Sequence, residues 1–142
     1  MNEDFTKTTS WLSRNHMKHF DVEVKHRYAY PTFYNGPNQW FIYANIYENH
    51  PLFKDVIDVD YDSKIFDQFQ LNQGCTFHNL NYNQNGIYYV KFGCDYLHYN
   101  DEFYSHLEPS EDNLVFDHAK LLYKQLLYYQ NLIEFDHLKN GF

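Results

Sequence analysis

The feature that most constrains this chain is a strict two-residue alternation from Asp21 to Tyr30. Val22, Val24, His26, Tyr28 and Tyr30 fall on one side of an extended segment, and Glu23, Lys25 and Arg27 on the other. Successive side chains of a strand point to opposite faces, so the pattern describes a half-buried strand. Pro31 ends it, and Asn35-Gly36-Pro37-Asn38 is a dense turn signal. A second strand is expected from about Gln39 to Tyr47. Trp40, Ile42, Ala44 and Ile46 line one of its faces, and Phe41, Tyr43 and Tyr47 the other. Apolar groups on both faces predict a central strand, or one whose outer face meets a partner.

Downstream, Asp58, Asp60 and Asp62 alternate with Val59 and Tyr61, so Asp55 to Asp62 is expected to form an acidic edge strand. Ile65 to Leu71 reads as a strand or loop. A hairpin follows, with arms Cys75–Tyr82 and Ile87–Cys94 around Asn83-Gln84-Asn85-Gly86. A four-residue loop sets Tyr82 opposite Ile87 and Cys75 opposite Cys94. A two-residue Asn-Gly turn sets Cys94 opposite Phe77 instead. Asp95 to Pro109 reads as an aromatic and polar loop. A long helix is expected over about 111–133, capped by Ser110, with Val115, Leu122, Leu126, Tyr129 and Ile133 at near-helical spacing and Leu114 and Leu121 beside them. Ser10 would cap a short N-terminal helix through about His19, carrying Trp11, Leu12 and Met17, and residues 1–8 are expected to fray. The implied fold is α+β: one domain over 1–142, a twisted antiparallel β-sheet of four to six strands, a long C-terminal helix packed on one face and a short N-terminal helix.

At 142 residues the chain can bury a sizeable core without metal or disulfides, and its two cysteines are too few for a disulfide scaffold. Aromatic residues make up 21% of it, with 15 Tyr and 13 Phe. Tyrosine joins a large apolar ring to a hydroxyl, so such richness fits contact surfaces. It fits equally an AT-rich coding bias, since asparagine is abundant too. Eleven Lys and Arg against 19 Asp and Glu give a formal net charge of −8. A protein that grips duplex DNA displaces counterions with cations, so direct duplex binding is not expected. Met1-Asn2-Glu3-Asp4 opens no signal peptide, and no run approaches the ~18 apolar residues of a membrane span. The expected compartment is the cytoplasm.

Chemistry-bearing motifs are weak. Cys75, His78, Cys94 and His98 match the ligand types of a zinc site, but Cys75 and His78 are three apart on an expected strand and would point to opposite faces. Asp58, Asp60 and Asp62 resemble the start of a calcium loop, yet Ser63 stands where the glycine is required and Phe69 where the bidentate glutamate is required. Asp95 and His98 could pair as an orienting carboxylate and imidazole, with His50 or His78 nearby. No nucleophile motif, phosphate-binding glycine loop or paired-carboxylate signature accompanies them. Neither an enzyme nor a cofactor is expected.

Three blocks, Trp40 to Lys54 (WFIYANIYENHPLFK), Gly74 to His78 (GCTFH) and Tyr89 to Asp101 (YVKFGCDYLHYND), together resemble a broad family of small uncharacterised bacteriophage proteins. That family carries a strand ending in G-H-P-L-[YF], an H-G-G-[LI]-T-[YF] segment, and an aromatic strand ending near F-D-C-A-H. Here Asn49 stands for the first glycine, Gln73 for the histidine and Cys75 for the second glycine, and the Cys94-Asp95 order is reversed. The resemblance covers about half the chain and implies a phage setting, where small accessory proteins often interfere with host defence.

Two expectations follow. In the first, the protein is a stoichiometric, anti-CRISPR-like inhibitor of a host defence nuclease or effector. Asp55, Asp58, Asp60 and Asp62, helped by Asp101, Glu102, Glu108, Glu111 and Asp112, would face a basic nucleic-acid-binding surface. Tyr43, Tyr47, Phe53 and Tyr61 would anchor it. In the second, the protein sequesters a cyclic or signalling nucleotide. Trp40, Tyr89 or Tyr96 would stack on bases, and Lys91, Arg27 or His98 would meet phosphate. A metal-assisted hydrolase ranks behind both.

Overall fold

The computed structural model describes the backbone of residues 6–12, 19–110 and 112–139, and side chains over 19–110, 112–129 and 131. Five strands form one antiparallel sheet: β1 (Thr6–Leu12), β2 (Phe20–Tyr28), β3 (Asn38–Tyr47), β4 (Phe77–Tyr82) and β5 (Tyr88–Asp95), in the order β1-β2-β3-β5-β4. β2 pairs with β3 so that Val24 lies opposite Ile42, and β3 with β5 so that Ile42 lies opposite Cys94. Directly opposed residues share a face, so Phe20, Val22, Val24, Trp40, Ile42, Ala44, Ile46, Val90, Phe92 and Cys94 form one continuous buried layer.

Two further pieces cover that layer. Helix α3 (Leu114–Lys139) lies across β2 and β3, burying Val115, Ala119, Leu122 and Leu126 at the i, i+4, i+7, i+11 spacing of one helical face. The segment between β3 and β4 covers β5. It contains α1 (Phe53–Val56) and a 3-10 helix (Lys64–Gln68), whose Phe66 ring packs at a tilt 4.7 Å from Phe92. A short helix α2 (Glu102–Ser105) precedes α3.

Several expectations are corrected. Residues 10–12 belong to β1, paired with β2, and not to a helix; 13–18 lie outside the described residues. Trp11 and Leu12 misled because a lone pair of apolar residues is compatible with either element. Likewise Thr6 to Thr8 are ordered in β1. Asp55 to Asp62 is not a strand: it passes through α1 into turns, because Val56 and Phe53 are drawn into the core by a helical turn rather than by alternation.

The β4–β5 hairpin sets Phe77 opposite Gly93 and Tyr82 opposite Tyr88, one residue away from both expected registers. Asn83 decides this. Its N–H donates to Ile87 O at 2.9 Å, and its side chain accepts from the N–H groups of Asn85 and Ile87, closing a five-residue connection. Helix α3 begins three residues later than expected. Asn113, not Ser110, is its N-cap, with Oδ1 accepting from the N–H groups of Val115 at 3.0 Å and Phe116 at 3.4 Å.

Candidate functional site

The sheet's second face carries Asp21, Glu23, Lys25 and Arg27 from β2, Phe41, Tyr43, Asn45 and Tyr47 from β3, and Tyr89, Lys91 and Asp95 from β5. No helix of the described residues lies over it. It is nonetheless largely self-covered. Lys25 and Lys91 sit 5.6 and 5.1 Å from the Tyr43 ring, Arg27 sits 5.7 Å from Phe41, and Phe77 packs edge-on to Tyr43 across Gly93. Asn45 is buried and donates to Asp21 at 2.6 Å, while Lys91 pairs with Glu23 at 3.2 Å. Long cationic stems lying over rings are how a solvent-facing sheet shields its aromatics.

A less shielded surface lies at the end of the sheet where β2 and β5 finish and β3 starts. There the β2–β3 loop packs on α2: Gly36 N–H donates to Ser105 Oγ at 2.7 Å, and the Asn38 amide donates to Ser105 O at 3.2 Å. A side chain at Gly36 would place its Cβ 2.5 Å from Ser105 O, so only glycine permits this approach. The loops project Tyr30, Phe33, Tyr34, Leu97, Tyr99 and Phe103 into solvent, with Phe33 91% exposed.

Between these loops is a cleft of about 170 Å³, walled by residues that include Thr32, Asn35, Gln39, Leu97, His98 and Asp101. His98 Nδ1 donates to Asp101 Oδ2 at 2.8 Å, and its Nε2 has no protein partner among the described residues. Asp101 is buried. Burial alone would raise its pKa, but the His98 backbone N–H, the Asn72 amide and the His98 ring all donate to Oδ2 and hold it below the usual carboxylate value.

The expected site residues do not assemble as one surface. Tyr43 and Tyr47 lie on the second face, whereas Phe53 packs against the core on the helix-covered side. Asp55, Asp58, Asp60, Tyr61 and Asp62 are exposed there, and those four carboxylates have no ion-pair partner among the described residues. Asp101 belongs to the cleft and is no surface acid; Glu102, Glu108 and Asp112 are exposed, and Glu111 lies outside the described residues.

The expected ligand pocket is divided three ways. Trp40 is a core residue whose Nε1 donates to Leu107 O, and Tyr96 is buried with its hydroxyl 2.7 Å from His118 Nδ1. Neither ring can take a base. Tyr89 and Lys91 lie on the second face, and His98 in the cleft. Of the zinc candidates, Cys94 is buried with Sγ accepting from Asn72 N–H, Cys75 donates to Phe77 O, and His78 bonds Val56 O at 2.6 Å. Among the described residues no three His, Cys, Asp or Glu side chains are placed to hold a metal. The carboxylate on His98 is Asp101 at 2.8 Å, with the expected Asp95 at 3.7 Å. Both carboxylates stand three residues from His98, one on either side, so spacing offers both; the expected Asp95 pair is present, and the turn that buries Asp101 makes it the nearer of the two.

No family model, curated protein or solved structure matches this chain. No helix among the described residues is long and apolar enough to cross a membrane.

Proposed function

We propose that this protein acts by stoichiometric binding to a basic protein partner, as a phage-encoded inhibitor that occludes a nucleic-acid-binding face of a host defence nuclease or effector in the bacterial cytoplasm. One observation carries the binding role: six large apolar side chains, Tyr30, Phe33, Tyr34, Leu97, Tyr99 and Phe103, stand exposed at one end of the sheet around a polar cleft. Large apolar side chains gathered in solvent-exposed loops are costly in water, and where they persist they mark an interaction site. Aromatic anchors around a small pocket are the usual centre of a binding hot spot. The charge of −8 and the carboxylates of 55–62, which have no ion-pair partner among the described residues, support a basic partner.

The test is competition. Purified DNA-targeting nucleases of the host are titrated with the protein while their DNA binding is followed by fluorescence anisotropy. Loss of DNA binding is expected to saturate at one equivalent, to weaken strongly with the Phe33→Ser/Tyr99→Ser double variant, and to weaken moderately when Asp58, Asp60 and Asp62 are changed to Asn. Undiminished inhibition by both variants, or no complex with any nuclease, would overturn the reading.

A further inference from the structure

The cleft at the end of the sheet has a chemistry more specific than that of its rim. About 170 Å³ is well below the roughly 300 Å³ at which pockets for whole small molecules begin, so it takes one chemical group and not a whole cofactor. Asp101 is the one formally charged residue on its wall, and neither lysine nor arginine lines it. Arg27, the nearest cation in the register, does not line the cleft but is held beside it, its guanidinium donating to the side chain of Gln39 on the wall at 2.9 Å and lying over the Phe41 ring. Acceptors on the wall that remain for a ligand include Asp101 Oδ1, whose single protein contact is a long one from Gln73 at 3.4 Å, and, in the neutral ring whose Nδ1–H is held by Asp101, His98 Nε2. The Asn35 side chain makes no hydrogen bond among the described residues. A phosphate would meet a buried carboxylate and an acceptor nitrogen here, both repulsive.

We propose that this cleft is a recognition site for one guanidinium group, an arginine side chain supplied by the partner protein. A planar cation with five N–H donors suits two acceptors fixed on one wall. Lysine fits less well, since a point charge cannot span both acceptors. The inference rests on the partner-binding reading above and names the partner group that reading needs: basic nucleic-acid-binding surfaces are rich in arginine.

Ethylguanidinium is the probe, titrated into the intact isotope-labelled protein while NMR follows the His98 ring nitrogens and the Asn35 and Gln39 side-chain amides. A saturable shift centred on His98 Nε2 is expected, at least about tenfold weaker with ethylammonium and absent with adenosine monophosphate. Asp101 is a buried hub, so Asp101→Asn risks the fold. Asn35→Lys, on an exposed loop residue, places a competing cation at the cleft and is expected to abolish the shift while leaving the remaining spectrum unchanged. No saturable shift, a shift that persists in Asn35→Lys, or binding of adenosine monophosphate at His98 would overturn the proposal. If the probe fails while nuclease inhibition holds, the cleft assignment alone is wrong. If the probe binds and no nuclease is inhibited, the site stands and the anti-defence reading falls.

Discussion

The ring of His50 joins the sheet to the long helix: its Nε2–H donates to the backbone carbonyl of Leu126 at 3.2 Å, while Nδ1 accepts from Leu52 N–H at 3.1 Å. With one nitrogen donating and the other accepting, the imidazole must be neutral. Burial pushes its pKa down to about 4, only partly opposed by the Leu126 carbonyl, from an ordinary 6.5. The charged form is disfavoured only in the folded state, so the unfolded chain binds the extra proton. Stability is therefore expected to be flat above pH 6.5 on this account and to fall between pH 6.5 and 4, by about 3 kcal/mol in all. Urea denaturation at a series of pH values measures this. In His50→Gln the slope over that window should shrink, and an unchanged slope would contradict it.

Much of the architecture was legible because it rests on periodicity. The alternation at Val22, Val24 and His26 and the helical spacing of Val115, Leu122 and Leu126 each follow from burying one face, and each is buried in the structure. What periodicity could not reach was set by single polar contacts. Asn113 moved the start of α3, Asn83 set the hairpin register, and Asp101 joined the expected Asp95 beside His98 at the shorter distance. The run Asp58-Val59-Asp60-Tyr61-Asp62 has the period of a strand but no neighbour to pair with, and it lies in turns. The candidate cleft escaped the sequence altogether. Its residues come from the β2–β3 loop, the segment after β5 and α2, and contacts distant in sequence, those of Gly36 and Asn38 with Ser105, bring them together.

Leu126 and Leu121 separate packing from mere helical hydrophobicity. Leu126 is fully buried beneath the sheet and Leu121 is about half exposed on the same helix. Leu126→Ala is expected to cost about 2–5 kcal/mol through lost burial and an unfilled cavity. Leu121→Ala is expected to change stability by no more than about 0.5 kcal/mol. Thermal denaturation of the two variants compares them directly, and equal losses would mean that α3 packs on another face.

Gly36→Ala tests how the cleft is held together. The added Cβ would sit 2.5 Å from Ser105 O and 2.6 Å from His106 Nδ1, and the backbone carbonyl cannot swing away as a side chain could. The loop must lift off α2, breaking the Gly36–Ser105 contact, for an expected loss of about 1–3 kcal/mol. Backbone amide shifts over 30–37 and 102–106 should move while those of the β4–β5 hairpin stay fixed. A wild-type spectrum and stability would show that the loop is not pinned there.

The two thiols should differ in reactivity although both are reduced and neither is fully exposed. Cys94 is buried beneath the covering segment, and burial pushes its thiol up to about 12 despite the Asn72 N–H aimed at the sulfur. Cys75 is only half-buried; burial raises its thiol too, partly opposed by backbone hydrogen bonding at Phe77 and Gly93. Since the thiolate is the nucleophile, a disulfide reagent at pH 8 is expected to consume about one thiol slowly in the native protein, and the second only after unfolding. Peptide mapping should place the first label on Cys75. Cys94→Ala would then leave the native rate unchanged and remove the unfolding-dependent phase. Equal native labelling of both sites would mean that the 52–71 segment opens readily from β5, and the buried layer would have to be redrawn without it.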